Sequence, residues 1–105
     1  MIVLKIEVTA DHIRYGSVGY CEECALALAL KDATGEPWSV THRAIFRGAP
    51  GEQRRYRVEH LLTCWLLKLD DIRPVGPIAV YLVDAPIPEL DVHGFAFSPS
   101  LPVPR

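Results

Sequence analysis

The sequence predicts a compact α+β domain with the order β-α-β-β-α-β: a mostly antiparallel four-stranded sheet, two helices and a Pro-rich C-terminal arm. Three observations carry this. Residues 2–9 alternate apolar and polar after Leu4, as a half-buried strand does, and the apolar run 78–84 reads as a last strand. Two Leu-rich segments, 21–33 and 60–71, carry helix-forming residues and helical spacing. From residue 85 onward the chain holds five of its nine prolines, a composition no helix tolerates. The predicted division is therefore an α+β domain over residues 1–84 and an arm over 85–105.

The elements follow in order. In "IVLKIEVT" (2–9), Ile6 and Val8 face one way while Lys5 and Glu7 face the other. "ADHIRYGSVGY" reads as a loop with two glycines. "CEECALALALKDA" (21–33) alternates Ala and Leu, which also fits a strand. The absence of β-branched residues and the stop offered by Gly35 decide for a helix, with Glu22 and Glu23 at its positive end. "PWSVTHRAIFR" (37–47) and "RRYRVEH" (54–60) read as two strands joined by the turn "GAPGEQ". In "HLLTCWLLKLDD" (60–71), Leu62, Trp65, Leu66 and Leu69 repeat at the spacing of one buried helical face. "RPVGP" breaks the chain before the last strand, "IAVYLVD". Proline density makes a central strand beyond residue 85 unexpected. Phe95, Phe97 and Leu101 suit an arm packed on its own domain or docked on a second copy, which would make a homo-oligomer.

Composition narrows the function classes. With 105 residues, half of them apolar, the chain can bury a core without metal or disulfide staples. A net charge of −2 does not suit a globally basic nucleic-acid binder. The N-terminal apolar run is interrupted by Lys5 and Glu7, too short for a signal peptide, and no window suits a membrane span. The expectation is a cytoplasmic protein with reduced thiols and no membrane partner.

Cys21 and Cys24 leave three readings open. C-x2-C with His60 and Cys64, four apart on one helix, is spacing that suits zinc. Against it, His60 and Cys64 lie roughly opposite the Leu62, Leu66, Leu69 stripe. A dithiol redox site at a helix N-terminus is the second reading, disfavoured by Glu22 and Glu23 between the sulfurs. The third is structural, since cysteine packs like a small hydrophobe. With no cofactor as the leading expectation, zinc is the alternative.

"VTADHIRYG" followed by "CEECALALAL" resembles a group of small uncharacterised proteins of bacteriophages and bacteria, which run strand, "HI..G", a C-x-x-C-P/A-A-L-A helix, hairpin, helix, strand. His12, Ile13, Gly16, Cys21, Cys24, Ala25, Ala27 and Leu28 match, and "LDDIRPVGPIAVYL" matches loosely. The likeness covers residues 3–30 and, less specifically, 62–83. Ala25 stands where proline is frequent, the hairpin is longer and the Pro-rich tail is extra. The resemblance implies the same element order and a phage or mobile-element origin. It carries no known activity, and so transfers no functional residues.

The remaining chemistry is basic. Between residues 43 and 57, Arg43, Arg47, Arg54, Arg55 and Arg57 face Glu52, a local charge of +4 that leaves −6 on the remainder. Guanidinium forks beside Tyr56 and Phe46 suit phosphates, nucleotides or single-stranded nucleic acid. Strand alternation puts Arg55 and Arg57 on one face, Arg54 and Tyr56 on the other. A solvated hairpin whose charges deter edge pairing is the competing account. His12 beside Asp11 suits either an oriented base or a capping residue. There is no P-loop, G-x-G-x-x-G, H-E-x-x-H or calcium loop. The reading is a non-enzymatic phage-type accessory protein that binds an anionic ligand (nucleotide or nucleic acid) or a host protein, as a counter-defence factor would. A thiol-based protein and an assembly protein are the alternatives.

Overall fold

A computed structural model describes residues 2–17, 22–49, 51, 53–71, 75–84 and 94–98. The order is β1 (Ile2–Val8), α1 (Ala10–Tyr15), α2 (Ala25–Thr34), β2 (Trp38–Val40), β3 (Ala44–Arg47), β4 (Arg54–Val58), α3 (His60–Asp70), β5 (Ile78–Asp84) and β6 (Gly94–Phe97). The class is mixed α+β as expected, but the described residues form six strands rather than four and three helices rather than two. The strands form one sheet in the order β1-β5-β6-β4-β3-β2, antiparallel at every step except β6 to β4.

Each difference has a local cause. The expected loop after β1 contains α1, because Thr9 and His12 form a reciprocal cap. The Thr9 hydroxyl accepts from the His12 backbone N–H, and His12 Nδ1 accepts from the Thr9 backbone N–H. Helix α2 starts at Ala25 rather than residue 21, with Cys24 as its N-cap and Glu22 and Glu23 in the preceding turn. Gly35, in the left-handed conformation, ends it as expected. The single strand expected over 37–47 is two strands. Thr41 folds the chain back, its hydroxyl donating to the Ala44 carbonyl and accepting from the Ala44 N–H, so that β2 pairs with β3.

The largest correction concerns the arm. Residues 94–97 form an inner strand, paired antiparallel with β5 and parallel with β4. "GFAF" is the proline-free gap between Pro88 and Pro99, so it can donate to ladders on both sides. Gly94 is required there: a Cβ would lie 1.9 Å from the Val83 carbonyl oxygen. The rest of the expected arm, and with it the proposed oligomer contact, lies outside the described residues.

Helix α2 packs against both edge strands, β1 and β2, so the sheet curls around it. The core between them holds Ile6, Val8, Leu26, Leu30, Trp38, Ile45, Tyr56, Leu62, Trp65 and Val80. Helix α3 joins the end of β4 to the start of β5, and Trp65 Nε1 donates to the Gly76 carbonyl. That end of the curl is helical. The opposite end gathers Leu4, Leu82, Asp84, Arg47, Arg54 and Glu36 around an open mouth. No helix among the described residues is long and apolar enough to cross a membrane.

Candidate ligand-binding site

The register of the β3–β4 hairpin sorts its arginines. Ile45 faces Tyr56 and Arg47 faces Arg54, so these four side chains share the concave face. Phe46 faces Arg55 and Ala44 faces Arg57, on the outer face. The basic segment is therefore two sites rather than one patch, as its alternation predicts. Arg43 lies in the β2–β3 turn at the other end of the hairpin, and exposed.

On the concave face the mouth of the sheet encloses a cavity of about 570 Å³, lined by Leu4, Glu36, Arg47, Gly48, Ala49, Arg54, Tyr56, Leu82 and Asp84. That volume is in the range that holds a small organic ligand. Its two cations are each paired: Arg47 Nε donates to Glu36 Oε2, and Arg54 Nη1 lies 3.6 Å from Asp84 Oδ2. The two pairs differ in rigidity. The Arg47 guanidinium also rests 5.3 Å from the centre of the Trp38 ring, a cation–π contact that fixes its plane. Partial burial works against its charge, but Glu36 and then the Tyr56 hydroxyl offset this and hold its pKa above the ordinary arginine value. Arg54 is half exposed, and its contact with Asp84 is too long for a hydrogen bond.

Tyr56 is 1% exposed, its ring tilted against Trp38 at 6.0 Å. Its hydroxyl is enclosed and makes no hydrogen bond of good geometry among the described residues. The oxygen lies in the field of Arg47, which can only donate, so the phenol proton has no acceptor among the described residues. Enclosed polar atoms without partners are rare in folded proteins, because each costs about 1–3 kcal/mol.

The outer face is different in kind. Arg57 Nη2 donates to Glu59 at 2.7 Å and stands 5.9 Å from the Phe95 ring centre. Phe95, Phe97 and Tyr81 stack on one another at 5.5 and 5.8 Å. Among the described residues, Arg55 and Arg43 have no carboxylate partner.

The cysteine proposal meets a partial view, since Cys21 lies outside the described residues. Cys24 is buried at the start of α2. His60 Nε2 and Cys64 Sγ are 3.7 Å apart on the side of α3 away from its buried leucines. Among the described residues no three His, Cys, Asp or Glu side chains gather as a metal site. His12 caps α1, and its Nε2 contacts Asp32 on α2 at 2.7 Å.

Sequence reasoning found Arg47, Arg54 and Tyr56 but not Glu36, Asp84, Leu4 or Leu82. Glu36 is carried there by the pairing of β2 with β3, while Asp84, Leu4 and Leu82 arrive through the curl that brings β1 and β5 opposite the hairpin, which no local pattern encodes. No protein-family model, curated protein or solved structure matches this chain.

Proposed function

We propose that this is a non-enzymatic binding protein that takes a small anionic ligand in the mouth of its curled sheet, with Arg47 and Arg54 as the anion-binding pair. The observation that carries the reading is the pairing of these two arginines across β3 and β4 at the wall of the cavity. Guanidinium forks side by side suit a phosphate or carboxylate, and one of them is already fixed by Trp38 and Glu36, which lowers the ordering cost of binding. The phage-like sequence resemblance adds a setting in which the ligand is a nucleotide signal held away from the host.

Calorimetric titration with nucleoside monophosphates tests this. Arg54→Glu is expected to lower affinity at least tenfold, while Arg55→Glu, one residue along and on the other face, leaves it within twofold. Equal losses from both variants would reject the cavity as the site. A steep fall of affinity with added salt would point instead to an extended nucleic acid on the outer arginines.

A further inference from the structure

Resting on that reading, we infer that the ligand carries hydrogen-bond donors as well as its anionic group: an anion on a hydroxyl-bearing body, of the nucleotide or sugar-phosphate class, rather than a bare anion. Among the described residues the cavity lining is neutral, two arginines against Glu36 and Asp84. An anion that drew Arg54 away from Asp84 would leave that carboxylate, about a quarter exposed, without its cation. A carboxylate accepts and cannot donate, so only a ligand with its own O–H or N–H groups repairs the loss. Asp84 ends β5 beside Arg54, which places a donor-seeking group next to the anion-seeking one.

Tyr56 supplies the complementary half. Its phenol proton is enclosed at the cavity wall with no acceptor among the described residues, and an anionic or hydroxyl oxygen of the ligand would satisfy it. The apolar wall of Leu4, Leu82 and Ala49 suits the body that joins the two polar ends. Arg47 is the rigid anchor, Arg54 and Asp84 the pair that opens, and Tyr56 the group whose hydrogen bond forms only in the complex.

The test is calorimetric titration of the full chain with four probes: adenosine 5′-monophosphate, ribose 5-phosphate, inorganic phosphate and adenosine. At least one of the first two is expected to bind tenfold or more tightly than both inorganic phosphate and adenosine. A tighter adenosine monophosphate identifies a nucleotide, and equal binding of the first two identifies a sugar phosphate; both support the inference. Asp84→Asn keeps the shape, weakens the acceptor and frees Arg54 for either anion, so the ratio of the favoured probe's affinity to that of inorganic phosphate should fall at least fivefold; an unchanged ratio would overturn the role of Asp84. Tyr56→Phe should weaken the favoured probe at least fivefold while the unliganded protein melts at the same or a higher temperature, because an unpartnered hydroxyl has been removed. Inorganic phosphate bound as tightly as the sugar phosphates would overturn the inference and leave the anion site standing. Adenosine bound as tightly as its phosphate, or binding indifferent to Arg54→Glu, would overturn both. A Tyr56→Phe protein that melts lower with unchanged affinity gives the hydroxyl a structural role and removes it from the site.

Discussion

The two faces of the β3–β4 hairpin carry the same residue types to opposite ends. Arg47, Arg54 and Tyr56 point inward, where a guanidinium is stacked, a hydroxyl is enclosed and both charges are paired across a cavity. Arg55, Arg57 and Phe46 point outward, where one arginine pairs with Glu59 near water and another has no carboxylate partner among the described residues. One step in sequence separates Arg54 from Arg55. Charge density along a chain says little until strand parity assigns each charge its neighbours. Exposure does not separate the faces, since inner Arg54 is 57% exposed and outer Arg57 46%; what differs is that the inner arginines converge on a cavity with Tyr56, Glu36 and Asp84.

Ways to break this comparison rank by size. The largest effect is expected from the inner packing. Tyr56→Ala removes a buried ring from between Trp38 and the core and should cost about 3–5 kcal/mol in chemical denaturation. Phe46→Ala, half-exposed on the other side, should cost clearly less. Comparable losses would mean that the faces are not distinct. Gly94→Val comes next. Its side chain meets the Val83 carbonyl, so β6 must shift, and a loss of about 3 kcal/mol or more is expected. Full stability in that variant would contradict the placement of β6 between β4 and β5.

Smaller effects separate the ion pairs. Arg57→Ala should change stability by no more than about 1 kcal/mol, as exposed pairs do. Arg47→Ala should cost more, because it strips the cation from Glu36 and uncovers the Trp38 ring. The smallest expected effect is on pH dependence. Arg47 has its pKa raised on folding, so its contribution is complete below the ordinary arginine pKa and falls only as pH rises through the still higher folded value. Denaturation midpoints of the wild type and Arg47→Ala should therefore run parallel from pH 6 to 9. Curves that converge in that range would tie Arg47 to a group that titrates there.

Much of this was legible in sequence where a residue answers to its near neighbours. Helix α3 and strand β5 fall where spacing puts them, and the parity of Arg54, Arg55, Tyr56 and Arg57 was readable from a two-residue period. The short capped helix α1 was missed because Thr9-x-x-His12 is an unfamiliar reciprocal cap, histidine standing where glutamate or glutamine usually does. The residues behind the phage-like resemblance have structural work here: His12 ties α1 to Asp32 of α2, and Gly16 passes so close to Ala25 that a Cβ would sit 2.6 Å from its nitrogen. Strand β6 was missed for a different reason. Its flanking prolines dominate the composition, and each of its partners on β4 is 38 residues away, as Tyr56 is from Gly94, a separation no local window spans. The cavity shares that difficulty: Asp84 and Arg54 belong to strands that β6 joins into one sheet, and no local pattern announces their contact.

The most direct test of the two-face account is a ¹H–¹⁵N correlation titration with adenosine 5′-monophosphate. The account predicts amide shifts concentrated at Leu4, Gly48, Ala49, Tyr56, Leu82 and Asp84, around the mouth of the sheet. Shifts concentrated instead at Tyr81, Phe95, Phe97 and their neighbours Arg55 and Arg57 would place the ligand on the outer face and contradict it.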